Sequence, residues 1–172
     1  MAETAVKETK KAKAVTKTPK VEKIILDADG CTFGRIAAFA AKQALKGNNV
    51  IIFNAEKALI SGKTDYHFAD YKKRFNAKNQ ANPWRYGPKR PKVPDRFLRR
   101  AVRGMLPWDR PKGQAAFKRV MVYMGRPVRE IMKREHIDLA KATLADNSQF
   151  KKHYDYSMTV AEICNYLGTR KE

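Results

Sequence analysis

The sequence predicts an α/β protein with parallel strands, and two features of the first third of the chain support that prediction. KIILD at 23–27 and NVIIFN at 49–54 are short apolar runs of the kind that form buried strands. Between them, apolar residues recur at helical spacing. A strand, a helix and a second strand within about 32 residues form a βαβ unit with a right-handed crossover. A third apolar run, VMVYM at 120–124, predicts a further strand of the same sheet.

The helix of the βαβ unit is predicted to begin after Thr32, which can cap it, and to end at Gly47. Asp29 and Gly30 supply the turn that precedes it. The small alanine side chains allow the helix to lie close to the sheet. Its apolar face consists of Phe33, Ile36, Ala37, Ala40 and Ala44.

A second helix is predicted from Thr64 or Asp65 to about Phe75, after residues 58–61, which either extend a strand or start a turn. This helix is expected to bury Phe68, Tyr71 and Phe75 and to expose Lys72, Lys73 and Arg74.

The C-terminal part of the chain is predicted to close the fold. Residues 128–152 are mostly polar and partly helical, and residues 154–158 form a candidate edge strand. Thr159 with Glu162 three residues later is a capping-box pattern, which marks the start of a last helix that ends at Gly168. The buried face of that helix is predicted to be Val160, Ile163, Cys164 and Leu167.

Positive charge is concentrated in the middle of the chain. The formal net charge is +20, and residues 72–134 hold 20 basic and 3 acidic side chains, a net charge of +17. Segments 1–71 and 135–172 carry only +4 and −1. So dense an excess destabilises a compact state unless a polyanion neutralises it. Because solubilising surfaces usually mix both signs, the pattern favours a nucleic-acid partner over a merely solvated face.

The segment at 76–94, NAKNQANPWRYGPKRPKVP, contains four prolines and one glycine, which exclude regular structure. It interleaves aromatic and basic side chains, a mixture that supports base stacking together with phosphate contacts. The alternative is that Trp84 and Tyr86 pin the loop to the core. The interleaved residues are Trp84, Arg85, Tyr86, Lys89 and Arg90.

The stretch that follows, PDRFLRRAVRGMLP at 94–107, predicts a helix with two unlike faces. One face is apolar and suits a core, and the other carries four arginines, which can each grip phosphate oxygens with two hydrogen bonds. A shorter helix is predicted at 113–117. The apolar face is Phe97, Leu98, Ala101, Val102 and Met105, and the basic face is Arg96, Arg99, Arg100 and Arg103.

Enzyme motifs fit the sequence poorly. SGKT at 61–64 resembles the end of a phosphate-binding loop, but Lys57 stands where that motif requires glycine. Asp27 and Asp29 follow the first strand, where α/β active sites often lie. They could bind a metal as a pair, but the favoured interpretation is that they stabilise the turn and the start of the helix. The two cysteines and three histidines show no metal-ligand spacing, so free thiols and no metal are expected.

The ends of the chain are expected to be appendages. Residues 1–20 are rich in Lys, Ala and Thr and lack large apolar side chains, which predicts a disordered basic arm; it either orders along a nucleic acid or serves as a solubilising tail. No apolar run approaches the ~18 residues of a membrane span, and no secretory signal is evident. We therefore expect a cytoplasmic protein that does not enter a membrane.

The stretch RRAVRGMLPWDRPKGQAAFKRVMVYMG at 99–125 resembles the signature region of large-subunit ribosomal protein family thirteen. LDADGCTFGRIA, VIIFNAEKALISGK and PKRPKVPDRFLRR resemble other parts of that family in the expected order, and YSMTVAEICNYLG resembles the C-terminal end of its archaeal members. The resemblance covers roughly residues 21–168. It implies a three-layer α/β/α domain with a mostly parallel four-stranded sheet and a basic Pro/Gly-rich loop-helix extension.

The resemblance also implies a structural, non-enzymatic place on the large ribosomal subunit, in contact with its RNA and with neighbouring ribosomal proteins. We expect no cofactor, no small-molecule substrate and no homo-oligomer. The expected organisation is an arm at 1–20, one domain at 21–168 with an RNA-facing segment at 76–119, and a tail at 169–172. Two rivals stay open: an RNA-processing enzyme that uses Asp27, Asp29 and a histidine, and a general nucleic-acid binder.

The RNA-binding candidates share a basic, aromatic or glycine side chain within or beside the cationic segment. Gly104 and Gly113 are included because they let a chain approach RNA closely or turn sharply. Met105, Leu106 and Phe117 are expected to anchor the segment to the core instead. The candidates are Arg74, Trp84, Arg85, Tyr86, Lys89, Arg90, Arg96, Arg99, Arg100, Arg103, Gly104, Arg110, Lys112, Gly113, Lys118 and Arg119.

Overall fold

The computed structural model describes residues 22–77, 82, 85, 90–135 and 146–168. The strands are β1 (Lys23–Asp27), β2 (Asn49–Phe53), β3 (Leu59–Ser61), β4 (Val120–Val122) and β5 (Ser157–Thr159). The helices are α1 (Phe33–Lys46), α2 (Thr64–Asn76), α3 (Pro94–Gly104), α4 (Pro111–Lys118), α5 (Val128–Glu135) and α6 (Val160–Tyr166). Short 3₁₀ turns lie at Ala55–Lys57 and Ser148–Phe150.

Three strands form the main sheet in the order β1-β2-β4, and both pairings are parallel. The prediction of an α/β fold with a mostly parallel sheet is therefore confirmed. Among the described residues the main sheet has three strands, so the four-strand count is not confirmed. The expected edge strand at 154–158 forms later, at β5, and pairs antiparallel with β3, with Leu59 opposite Thr159.

Helix α1 follows the predicted pattern closely. Ile36, Ala37, Ala40, Ala41 and Ala44 are buried, and Gly47 ends the helix in the left-handed region at φ 105°. Alanine lets the helix axis approach the sheet without overpacking. At position 47, a residue with a Cβ would be strained at the positive φ that Gly47 adopts.

Thr32 precedes α1 as predicted, but its side chain does not cap the helix. Its Oγ1 instead lies 3.1 Å from the Tyr154 hydroxyl, in a hydrogen bond that ties the start of α1 to a residue far along the chain. The sequence shows the position of a cap, whereas the partner of its hydroxyl depends on the tertiary fold.

Both faces of the main sheet carry apolar packing, because alternate residues of a strand point to opposite faces. Leu26, Ile52 and Val122 face the larger core, which also contains the buried sides of α1, α3, α4 and α6. Ile25, Ile51, Phe53 and Tyr123 face the other way and pack with Ile131 of α5. This smaller cluster shows that α5 covers part of the second face.

Three local predictions need adjustment. No residue of α2 is fully buried, so Phe68, Tyr71 and Phe75 are half-buried and not core residues. Helix α4 begins at Pro111 and is longer than the predicted 113–117. Leu167 is half-buried instead of buried.

The capping box of α6 is confirmed. Thr159 Oγ1 accepts a hydrogen bond from the Glu162 backbone N–H at 3.3 Å, and Glu162 Oε2 accepts one from the Thr159 N–H at 3.2 Å. Within the described ranges, no helix combines the length and the apolar character that crossing a membrane demands.

Candidate nucleic-acid interface

Helix α3 divides into an apolar face and a basic face, as its sequence predicts. Leu98 and Val102 are fully buried, and Phe97 and Ala101 pack against the same core. Pro94 occupies the first turn, where its missing N–H is not needed. Helix α3 packs against α1 and β4, and its four arginines are exposed or half-buried.

The basic face of α3 lines an open groove of about 370 Å³, which we name the arginine groove. Five arginines from α3 and the segment before it lie along this groove, together with two aromatic side chains that follow α3. The lining residues are Arg90, Pro91, Arg96, Arg99, Arg100, Arg103, Trp108 and Phe117.

Aromatic rings hold two of these arginines in place. The guanidinium carbon of Arg103 lies 3.9 Å from the centroid of the Trp108 ring, and that of Arg99 lies 4.7 Å from the centroid of the Phe117 ring. Trp108 and Phe117 contact each other edge to face, with centroids 5.3 Å apart. Stacking fixes the plane of a guanidinium group and leaves its N–H donors available to an acceptor.

No carboxylate neutralises the groove among the residues that the structure describes. The ion pairs found there involve Lys57, Arg74 and Arg126, and none involves an arginine of the groove. Arg99 Nε is buried and has no hydrogen-bond acceptor in the described chain. A buried donor without a partner is costly.

Arg90 lines the arginine groove, and Arg74, which contacts Arg90, does not line this groove. Arg74 is paired with Asp70, with nitrogen–oxygen distances of 3.0 and 2.9 Å. The Arg74 carbonyl accepts a hydrogen bond from Arg90 Nε at 2.9 Å, so the end of α2 positions Arg90. Arg90 therefore keeps its charge uncompensated within the described residues, whereas Arg74 does not.

The remaining basic candidates do not reach the same groove. Arg110 and Lys112 are exposed at the start of α4. Lys118 and Arg119 line a separate groove of about 560 Å³, together with Asn49 and Met121 at the N-terminal edge of the sheet. Arg119 also donates to the Ala44 carbonyl at 3.4 Å. The single basic surface expected from the sequence is thus divided into at least two parts by α4.

The two candidate glycines have unlike surroundings. Gly104 is exposed, and a Cβ there would meet nothing within 4 Å. Gly113 is buried, and a Cβ there would lie 2.0 Å from the Pro107 carbonyl oxygen. The close approach at Gly113 is therefore made to the protein's own backbone, which favours the sharp turn over close approach to RNA as the reason for this glycine.

The three expected anchors also differ from one another. Leu106 is buried and Phe117 packs against the core, as predicted. Met105 is 45% exposed, so it does not anchor the segment. The reason is that α3 ends at Gly104, and Met105 no longer continues the apolar face of the helix.

Within the Pro-rich loop the structure describes Arg85, which is exposed and whose backbone N–H lies 3.2 Å from the Asn82 carbonyl oxygen. Trp84, Tyr86 and Lys89 lie outside the described residues. Trp108 is the residue that the sequence reasoning missed. Its signal was an aromatic side chain five residues after Arg103, inside a turn rich in proline and basic residues.

The carboxyl edge of the main sheet holds a polar network centred on Asp27. The Asp27 carboxylate accepts hydrogen bonds from Asn54 Nδ2 at 2.7 Å, from the Asp29 N–H at 3.1 Å and from the Arg126 guanidinium. Burial raises the pKa of Asp27, but these donors outweigh it and hold the pKa below its usual value. The carboxylate is thus kept charged and structurally engaged.

Asp29 faces solvent and lies 3.8 Å from Lys57 Nζ. Among the described residues, no cluster of three or more His, Cys, Asp or Glu side chains is placed to hold a metal ion. Cys31 and Cys164 are both buried and form no disulfide, as expected from the sequence. The geometry at this edge supports the reading of Asp27 and Asp29 as residues that serve the turn.

An α/β scaffold that gathers arginines without a described carboxylate partner and aromatic rings in one groove is typical of proteins that bind a polyanionic nucleic-acid backbone. The sequence profile of the family described as "Ribosomal protein L13" matches residues 22–129. The chain belongs to this ribosomal protein family.

Curated relatives agree with that assignment. The chain is 38% identical to the large ribosomal subunit protein uL13 of Methanocaldococcus jannaschii over 85% of its own length and 98% of the relative. It is 41% identical to the protein of the same name from Methanosarcina barkeri over 85% of the chain and 98% of the relative. The one from Archaeoglobus fulgidus is 36% identical over 91% of the chain and 94% of the relative.

Proposed function

We propose that the chain is a structural constituent of the large ribosomal subunit that binds and stabilises folded large-subunit ribosomal RNA in the cytoplasm. The observation that carries this proposal is the arginine groove, in which five arginines face one cavity with no carboxylate partner in the described chain. Membership of the ribosomal protein family supports the choice of RNA as the partner. Neighbouring large-subunit proteins are the expected further partners.

The proposed mechanism is neutralisation of phosphates with release of counterions. The guanidinium groups of Arg99 and Arg103 are held by their aromatic rings, so little side-chain entropy is lost when they grip a phosphate. Folded RNA is recognised largely through its shape, sugars and phosphates, so we expect little reading of base sequence. The chain acts without catalysis, cofactor or small-molecule substrate in this proposal, and as a single copy.

The proposed organisation is one domain at 21–168 with its RNA-facing segment at 76–119, a basic arm at 1–20 and a tail at 169–172. The cluster that packs α5 on the second face of the sheet supports a three-layer α/β/α arrangement. A fourth strand in the main sheet is part of the same proposal. Within the RNA-facing segment, the first contacts to expect are those of Arg90, Arg96, Arg99, Arg100 and Arg103.

A salt series tests the proposal. The full chain should bind a large-subunit rRNA transcript in a filter assay, and affinity should fall by about 10³-fold or more between roughly 50 and 200 mM salt if some eight phosphates are contacted. A flat salt response contradicts the mechanism. Co-sedimentation with large subunits at moderate salt and release at high salt tests the location.

The same assay separates the rivals. Equal affinity for duplex DNA and the rRNA transcript would indicate a general nucleic-acid binder. Metal-dependent cleavage of the transcript that is lost in Asp27→Asn would indicate an RNA-processing enzyme. The engagement of Asp27 with Asn54 and Arg126 argues against that second outcome.

A further inference from the structure

A second cavity adjoins the arginine groove between α2 and α3, and we name it the aromatic pocket. It has a volume of about 200 Å³ and lies against the rings of Phe33, Tyr71, Phe75 and Phe97. The centroids of Phe33 and Phe97 are 5.5 Å apart, and those of Tyr71 and Phe97 are 5.3 Å apart. All four rings are half-buried, so the core has not closed over them. Cations lie over two of them: the Arg74 guanidinium carbon is 5.9 Å from the Tyr71 centroid, and Lys92 Nζ is 4.6 Å from the Phe75 centroid.

Arginines form the rim of this pocket. Arg74, Arg90 and Arg100 line it, and Arg90 and Arg100 line the arginine groove as well. Asp70 already engages Arg74, whereas Arg90 and Arg100 have no carboxylate partner among the described residues. Arg90 and Arg100 therefore border both cavities, and both can hold an anion at the point where the cavities meet.

The pocket also holds one polar group. The Tyr71 hydroxyl makes no hydrogen bond to the residues that the structure describes, although its ring is packed against Phe97. Burial raises the pKa of Tyr71, so its hydroxyl stays protonated and can donate as well as accept. An occupant with a flat, polar-edged ring would use both the stacking surface and the hydroxyl.

Charge and shape together select the kind of occupant. A purely apolar side chain would leave Arg90 and Arg100 uncompensated, and a bare phosphate would leave the aromatic walls uncovered. One nucleotide satisfies both, because its base can stack on aromatic rings while its phosphate meets the arginines at the rim. The volume of the pocket, about 200 Å³, is below the ~300–1,000 Å³ of ordinary ligand sites. A pocket of this size suits one base and not a larger ligand.

We propose that the aromatic pocket receives the base of one unpaired RNA nucleotide, with Arg90 and Arg100 holding the adjoining phosphates at the mouth of the arginine groove. This proposal rests on the proposed RNA-binding function and deepens it. In this proposal the protein binds one unstacked RNA base in the aromatic pocket, whereas the adjoining arginine groove contacts the sugar-phosphate backbone of the RNA.

The test uses the full chain and three sets of RNA hairpins. Hairpins in the first set carry one unpaired A, G, C or U, the second carries an abasic nucleotide at the same position, and the third is fully paired. We expect at least one bulged hairpin to bind about tenfold more tightly than the abasic hairpin, because stacking one base contributes on that order. Tyr71→Leu should abolish this preference and leave affinity for the paired hairpin unchanged.

Tyr66→Leu is the matched control, because Tyr66 lies on the same helix but is 69% exposed and outside the pocket. It should keep the full preference for the unpaired base. Phe75→Leu gives a second wall variant, expected to reduce the preference, in case Tyr71→Leu lowers stability. Circular dichroism melts of each variant check the fold.

The outcomes separate this proposal from the proposed function. Salt-dependent binding of all hairpins with no difference between base and abasic nucleotide overturns the pocket and leaves the RNA-binding function standing. A preference that emerges only in Trp84→Ala or Tyr86→Ala also overturns it, because the chain's own loop would then fill the pocket. No binding to any hairpin or to the rRNA transcript overturns both proposals.

Discussion

Arginines at two sites of this protein have opposite surroundings. Arg126 pairs with Asp27 at the carboxyl edge of the sheet, where Asn54 and a backbone N–H complete the shell of the carboxylate. Arg99 and Arg103 stack on Phe117 and Trp108 and meet no carboxylate in the described chain. Arg126 is therefore tied into the fold by a carboxylate, whereas Arg99 and Arg103 are oriented by aromatic rings that leave their charge uncompensated within the described residues.

The contrast shows how one chain can carry a large positive charge and still fold. Aromatic rings orient guanidinium groups without cancelling their charge, whereas carboxylates orient them and cancel it. Substitutions at the two sites should accordingly affect different measurements: RNA affinity at the arginine groove and the free energy of unfolding at the sheet edge.

The largest effect is expected when the four α3 arginines, Arg96, Arg99, Arg100 and Arg103, are all changed to Gln. Affinity for the rRNA transcript should fall by about two to three orders of magnitude, and the slope of log affinity against log salt should become shallower by about 3 to 4. Because these side chains lack ion-pair partners in the described chain, the free energy of unfolding should change by less than about 1 kcal/mol.

A charge-matched variant sharpens that test. Changing Lys42, Lys46, Lys151 and Lys152 to Gln removes the same net charge from exposed sites away from the arginine groove. An equal loss of affinity in this control would mean that RNA senses the overall charge of the protein and not the groove.

Gly113→Ala is expected to have the next largest effect. The new Cβ would overlap the Pro107 carbonyl oxygen, so α4 must shift away from the turn that carries Trp108. We expect a loss of about 2–3 kcal/mol in the free energy of unfolding, measured by urea denaturation. Gly104→Ala, where a Cβ has open space, should be neutral or slightly stabilising.

Asp27→Asn should lower the free energy of unfolding by about 1–3 kcal/mol at neutral pH, because it removes the acceptor charge from Asn54 and Arg126. The fold holds the pKa of Asp27 below the usual value of an aspartate, so the carboxylate stabilises the protein at pH values above that usual pKa. This stabilisation is lost as the pH falls through the lowered pKa. Urea denaturation across pH should show a shallower acid loss in the variant, with RNA affinity unchanged at neutral pH.

The smallest effect is expected for Trp108→Leu. Removing the ring beneath Arg103 should weaken RNA binding by about two- to fivefold, the size of a cation–π contact at a partly exposed site. Trp108→Phe should retain part of the affinity. If the Leu variant binds as tightly as the unchanged protein, stacking does not preorganise the groove.

Much of the fold follows from local patterns. The bounds of β1, the alanine face of α1 and the two faces of α3 are set by side-chain periodicity, which a sequence displays directly. The capping box at Thr159 is equally local. The arginines of the groove could be predicted for the same reason, since four of them share one helix.

The errors arose where the cause lies far along the chain or in three dimensions. β5 pairs with β3, about a hundred residues earlier, so no local pattern fixed its position or partner. The Thr32 hydroxyl meets Tyr154 for the same reason. The need for glycine at position 113 comes from its close contact with the Pro107 backbone. That contact exists only when the turn between α3 and α4 is formed.

Helices α3 and α4 belong to the long connection that carries the chain across from β3 to β4, and β4 lies beside β2 in the main sheet. The surface that we propose for RNA binding is thus a structural crossover of the domain and not an appendage to it. RNA bound at this surface would also hold β4 in register, so we expect the melting temperature of the whole domain to rise with RNA occupancy.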